Sequence, residues 1–194
     1  MNKVLIISGH PRLEASVANR TILADLEDTF GESASFRYLD QLYPDFQIDV
    51  AEEQAALLEA DVVVWQFPFY WYALPALMKK WLEDVFVYGF SHGATGHSLR
   101  GKRLILSFTT GAPSEAYATG RPMNYPVAEF LPPLRQTALL CGMEYEVPVH
   151  SSAMSYVPGV SSEADLAAIK QRAHDHARVL IHRIRQLAPA RAAA

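Results

Sequence analysis

The stretch Asp61–Val85 reads DVVVWQFPFYWYALPALMKKWLEDV, and two periodicities follow one another within it. Val62, Val63, Val64 and Trp65 form an unbroken apolar run, the signature of a strand buried on both faces of a parallel sheet. From Leu74 the pattern changes. Leu74, Leu77, Met78, Trp81, Leu82 and Val85 recur at three- and four-residue spacing, which predicts a helix with one buried side and Pro75 in its first turn. A strand that runs through a short loop into a helix is half of a crossover between parallel strands.

The same unit recurs on either side. Val4–Ile7 is an aliphatic run closed by Ser8 and Gly9, and Ser16 offers an N-cap for a helix reaching about Phe30, with Ile22, Leu23, Leu26 and Phe30 on one side. Ser35–Leu39 reads as a strand and Val50–Glu59 as a helix. Downstream come a strand over Lys102–Phe108, a helix over Val127–Cys141, a strand over Glu144–Val149 and a closing helix from near Ser162. Five strands separated by helices predict an α/β/α three-layer sandwich around a five-stranded parallel sheet, in the flavodoxin-like order 2-1-3-4-5. One domain is expected over residues 1–188, with 189–194 as a disordered tail.

Composition narrows the function classes. The net charge is −4, so no overall basic field exists to hold nucleic acid or an anionic membrane. Cys141 is the single cysteine, which excludes an intrachain disulfide and a cysteine zinc cluster. No apolar stretch approaches the roughly 18 residues of a membrane helix, and the opening MNKVLIISGHP is too short in its apolar run for a signal peptide. A cytoplasmic protein is expected. Ten of its aromatic residues fall between Trp65 and Phe90.

In such a sheet ligands bind beyond the carboxyl ends of the strands, so chemistry is expected just after Ile7, Trp65, Phe108 and Val149. The first loop, SGHPRLEASVAN, has no glycine-rich phosphate fingerprint but offers Ser16 and Asn19 at a helix N-terminus with His10 and Arg12 nearby. That is either a plain helix cap or a phosphate site. The loop QFPFYWYALP places Phe67, Phe69, Tyr70, Trp71 and Tyr72 at a strand exit, where they either fill the core or flank a flat ligand. The loop TTGAPSEAY supplies two hydroxyls and a glycine that permits close backbone approach.

Taken together, SGHPR…SVAN, QFPFYWYALPALMKKWLEDVF, VYGFSHG…LRGK and SFTTG resemble the flavodoxin-like NAD(P)H:quinone oxidoreductases. That group includes DT-diaphorase, bacterial general-stress quinone reductases and the ancillary flavoproteins of glutathione-gated potassium-efflux systems. The resemblance implies a bound flavin: FMN for chains of this length, FAD in the larger relatives. NADPH or NADH would be the electron donor and a quinone the acceptor, in a ping-pong, two-electron hydride transfer. It assigns His10, Arg12, Ser16, Val17 and Asn19 to the flavin phosphate and ribityl chain. Pro68, Phe69, Tyr70 and Trp71 fall along the ring, and Thr109, Thr110, Gly111 and Ala112 at its pyrimidine end. Tyr117 is the implied catalytic side chain, orienting the acceptor. A homodimer with its seam in residues 67–90 is also implied. Two other roles follow from the same resemblance: regulatory subunit of a potassium/proton antiporter in the membrane, and one-electron carrier.

Two departures from the pattern stand out. No histidine occurs between His97 and His150, where DT-diaphorase has one beyond its tyrosine, and the loop reads TTGA rather than TTGG. No metal site is expected. His92 and His97 lie in a glycine-rich loop without carboxylates, and no two of His174, His176 and His182 have i, i+4 spacing. Cys141 reads as a packing residue.

Overall fold

A computed structural model describes residues 3–187; the tail expected over 189–194 lies outside them. The chain runs β1 (Val4–Ser8), α1 (Val17–Phe30), β2 (Ala34–Tyr38), α2 (Leu39–Leu42), α3 (Val50–Glu59), β3 (Val62–Pro68), α4 (Ala76–Val85), β4 (Arg103–Thr109), α5 (Pro132–Leu140), β5 (Glu144–Tyr145), β6 (Val149–Ser151) and α6 (Glu163–Leu187). Every pairing is parallel, in the order β2-β1-β3-β4-β5, with β6 also on β4. This is the flavodoxin-like sandwich.

Alternation along the strands builds the three layers. Leu5, Ile7, Val63, Trp65, Phe67, Leu104, Leu106 and Phe108 belong to one core with Leu57, Leu77, Trp81 and Leu134 from α3, α4 and α5. Val4, Ile6, Val62, Val64 and Ile105 belong to the other, with Ile22 and Leu26 of α1 and Ile169, Ala173, Ala177, Leu180 and Ile184 of α6. Gly9 lets α4 sit against the end of β1: a Cβ there would lie 2.8 Å from Met78 Cβ.

Three sequence expectations are corrected, each for a reason involving proline. The last strand is two short pieces rather than one. Pro148 has no N–H to give a neighbour, so the chain leaves the ladder after Tyr145 and rejoins β4 at Val149. The helix expected over Val127–Cys141 is likewise divided, into a 3₁₀ turn at Val127–Phe130 and α5, which starts afresh with Pro132 and Pro133 in its first turn. Pro75 is the N-cap of α4 and not within its first turn.

One buried ion cluster lies beside α3. Glu53 is fully buried; its Oε1 accepts from Arg37 Nε (2.8 Å), Arg37 Nη2 (2.6 Å) and Tyr43 OH (2.7 Å), and its Oε2 accepts from Trp81 Nε1 at 2.8 Å. Burial of Arg37 works against its charge, but hydrogen bonds to Glu52 and Glu53 outweigh it and raise the guanidinium pKa. Burial and the bond to Glu53 push the Tyr43 phenol up to about 12.

Candidate active site

Because all strands are parallel, β1, β3 and β4 end on one edge of the sheet, at Ser8, Pro68 and Thr109. The segments that follow converge on a cleft of about 140 Å³, lined by Ala15, Ser16, Val17, Asn19, Pro68, Phe69, Tyr70, Thr109, Thr110, Gly111, Met154, Ser155 and Tyr156. A larger hollow of about 420 Å³ lies against α5, between Leu131, Arg135, Leu139 and Tyr145. It lies away from the ends of β1 and β3 and offers few convergent polar groups, so the smaller cleft is the better candidate.

One end of the cleft is the N-terminus of α1. Ser16 caps it, its Oγ accepting from the Asn19 N–H (3.1 Å) and from Asn19 Nδ2 (3.2 Å). Asn19 is 2% exposed and also donates from Nδ2 to Thr109 Oγ1 at 3.1 Å, tying the first loop to the fourth. In this orientation of the Asn19 amide both Ser16 acceptor positions are filled and its one proton is left for the cleft. The first-turn N–H groups of Val17 and Ala18 have no partner within the helix. Together with the helix dipole this gives the end of the cleft a positive potential, which favours an anion.

His10 and Arg12 stand outside that wall. His10 is buried at its side: Nδ1 accepts from the Arg12 N–H at 3.0 Å, which leaves the ring proton on Nε2, 3.4 Å from Tyr70 OH. Burial lowers its pKa to about 4, with Arg12 adding to the effect and Asp40 opposing it. The Arg12 side chain is exposed.

The aromatic block divides between core and surface. Trp65, Phe67, Phe69, Trp81 and Phe86 are buried, and the Phe69 ring packs on Phe108 (5.1 Å between centroids) and Phe130 (6.0 Å). Phe69 therefore offers the cleft mainly backbone. Tyr70 and Ala73 form a bridge closed by Trp71 and Tyr72, which have φ of 48° and 64°. Positive φ at two successive bulky residues is strained, at about 1–3 kcal/mol each. The turn leaves Trp71 at 91% exposure, beside the cleft and outside its lining.

The fourth loop is strapped to the last strand. Met154 N–H donates to the Thr110 carbonyl and Ala153 N–H to the Ala112 carbonyl, both at 2.9 Å, and Arg172 of α6 holds the Ala153 carbonyl at 2.6 Å. These bonds carry Met154, Ser155 and Tyr156 into the wall. Sequence reasoning named the segment after Val149 but no residue in it. Ala112 is half-buried and not in the wall. Tyr117, also half-buried, sits edge-on to Phe130 at 6.4 Å. Burial raises its pKa, against a lowering by the Thr110 side chain, so the phenol keeps its proton at neutral pH.

Cys141 is buried, and burial pushes its thiol pKa up. His92 pairs with Ser91, His97 with Arg100 and His174 with Asp25. His176, also buried with a pKa near 4 for the same reason, bonds to Ser107 and Ser151. Between about pH 6.5 and 4 the unfolded chain binds protons at His10 and His176 that the folded chain refuses, so stability is expected to fall as pH drops through that window. Thermal melts check this; an unchanged melting temperature between pH 7 and 5 contradicts it.

A parallel sheet in the order β2-β1-β3-β4-β5, with a cleft at its strand ends, is the flavodoxin-like architecture. The chain belongs to the flavodoxin-like fold family, matched over residues 2–177. It is 43% identical over 145 residues to the glutathione-regulated potassium-efflux system ancillary protein KefF of Klebsiella pneumoniae, covering 75% of this chain and 80% of that one. The structure of general stress protein 14 from Treponema denticola in complex with FMN superposes with a TM-score of 0.81 at 30% identity, covering 94% and 99% of the two chains. An NADPH-quinone reductase from P. pentosaceus follows at 0.70 and 26%, covering 89% and 98%. No described helix is long and apolar enough to cross a membrane.

Proposed function

We propose that this chain is an FMN-dependent oxidoreductase that carries electron pairs from NADPH or NADH to quinones, working as a homodimer. The observation that carries the reading is the cleft itself: a helix N-terminus capped by Ser16 at one end, and an exposed aromatic turn at the other. The FMN complex of the Treponema relative and the quinone reductase likeness support it.

The residues present fit the cofactor. Ser16 and the backbone of Val17 are the right chemistry for a phosphate and the start of a polyol, with Asn19 holding the Ser16 hydroxyl from behind and Arg12 exposed to supply charge. Pro68–Tyr70 and Thr109–Gly111 would border a flat ring, Thr109 and Thr110 supplying hydroxyls. When bound, FMN supplies the capacity to accept and release a hydride, which no side chain here has. The cleft is about 140 Å³, whereas pockets that enclose drug-sized ligands run to roughly 300–1,000 Å³. One chain therefore encloses only part of the ligand, and the exposed Tyr70–Trp71–Tyr72 turn is where a second copy would complete the cover. Tyr117, protonated, orients the acceptor by donating a hydrogen bond. Unaided proton transfer is beyond it at neutral pH, because burial has moved its pKa further from 7.

Purified protein is expected to take up FMN and then oxidise NADPH or NADH with a simple benzoquinone, giving parallel initial-rate lines because donor and acceptor occupy one mouth in turn. Protein that cannot bind FMN ends the reading, and intersecting lines end the shared mouth. The KefF likeness supports a second role, regulatory subunit of a potassium/proton antiporter; co-purification with such a membrane protein would be its mark.

A further inference from the structure

Beneath the cleft runs a line of buried polar side chains, of which the proposed reaction uses only the end at Asn19. It starts on α6, at His176, and crosses the sheet. His176 Nδ1 is 2.9 Å from Ser151 Oγ, and its Nε2 is 2.8 Å from Ser107 Oγ. Ser107 donates to Gln66 Oε1 at 2.5 Å, and Gln66 Nε2 donates to Asn19 Oδ1 at 2.8 Å. Asn19 Nδ2 ends the line on Ser16 Oγ and Thr109 Oγ1. His176, Ser107, Gln66 and Asn19 are each no more than 2% exposed.

Each link dictates the next. A serine hydroxyl has one proton. Ser107 gives its proton to Gln66, so its bond with His176 is one it accepts, and the imidazole must carry its proton on Nε2. The ring is neutral, since burial and the neighbouring His150 lower its pKa to about 4. Nδ1 is then a lone pair that Ser151 fills. At the other end, Ser16 and Thr109 both accept from Asn19, so both hydroxyl protons are free to turn toward the cleft. The reverse polarity is equally connected: proton on Nδ1, Ser107 donating to Nε2, both amides turned over, and Ser16 and Thr109 donating inward. The two hydroxyls would then offer the cleft only lone pairs, and that of Ser16 would repel a phosphate oxygen.

We propose that His176 is a positioning residue for the cofactor cleft. By holding its proton on Nε2 it orients Ser107, Gln66 and Asn19 so that Ser16, at the α1 N-terminus, presents a donor to an anionic ligand. This rests on the FMN reading above, and His176 itself touches no ligand.

Histidine labelled with ¹⁵N reads the tautomer directly. The Nε2–H form of His176 is expected in both ligand-free and FMN-loaded protein; the Nδ1–H form in either overturns the proposal. Affinities for FMN and for riboflavin, which lacks the phosphate, give a second measurement. His176→Met is expected to weaken FMN about fivefold and riboflavin less than twofold, as for one lost hydrogen bond. His176→Gln, whose amide can donate to Ser107, is expected to restore most of the ratio. Ser151→Ala, which removes the partner of Nδ1 with little disturbance of packing, is expected to lower the ratio about threefold and stands in if His176→Met fails to fold. An FMN-to-riboflavin ratio that no variant moves overturns the proposal. Wild-type protein that binds neither ligand overturns the flavin reading and this proposal with it, whereas FMN binding with the Nδ1–H tautomer, or with a ratio no variant moves, overturns this proposal alone.

Discussion

Glu53→Ala is expected to lower the melting temperature by roughly 6–20 °C. Removing one partner of a buried ion pair costs about 3–5 kcal/mol, and a chain of this size loses about 2–4 °C per kcal/mol. The carboxylate is fully buried and accepts four bonds, from Arg37 twice, Tyr43 and Trp81. Its loss leaves Arg37 with Glu52 as its one remaining carboxylate and takes the acceptor from a phenol and an indole N–H, all in the layer between β2, α3 and α4. Most of the penalty comes from the donors of Arg37, Tyr43 and Trp81 left buried without their acceptor rather than from the bonds themselves. The double variant Glu53→Met with Arg37→Met is therefore expected to recover much of the loss. Equal melting temperatures for the single and double variants would show that the cluster acts by packing alone.

Ser16→Ala is expected to weaken FMN binding about 10- to 150-fold, the equivalent of one hydrogen bond to a charged group at roughly 1.5–3 kcal/mol. It should also cost about 1 kcal/mol of stability, because the same oxygen caps α1. The two effects separate by ligand. The capping loss appears without any ligand, whereas the binding loss appears with FMN and is largely absent with riboflavin. Titration calorimetry measures both affinities. A variant that loses its cap but keeps its FMN affinity would remove the phosphate from the α1 terminus.

The sheet was legible because its strands announce themselves locally. Val4–Ile7 and Val62–Trp65 are aliphatic or aromatic at every position, and burial on both faces asks for nothing else. What stayed hidden depends on residues far apart in the chain. Glu144–Val149 looks like one strand until Pro148 is set against the partner that needs its N–H. Met154, Ser155 and Tyr156 reach the cleft only because Thr110 and Ala112 carbonyls hold the neighbouring backbone, more than 40 positions away. His176 escaped a search for paired histidines since its partners are serines on β4 and β6. The aromatic run from Trp65 to Tyr72 posed the opposite problem. Its composition suited both core and ligand platform, and backbone direction decided between them: the strand residues point inward and the turn residues outward.

That division has an optical consequence. Trp65 and Trp81 are sealed from solvent, within 5.9 and 5.5 Å of the Phe86 ring, while Trp71 is 91% exposed. The molecule thus carries two indoles shut away from water, that of Trp81 bonded to Glu53, and one in water. Blue emission belongs to the fold and red emission to the mouth of the cleft. A dissolved quencher meets only the second kind. Loss of structure and arrival of a ligand are written at different wavelengths in the unlabelled protein.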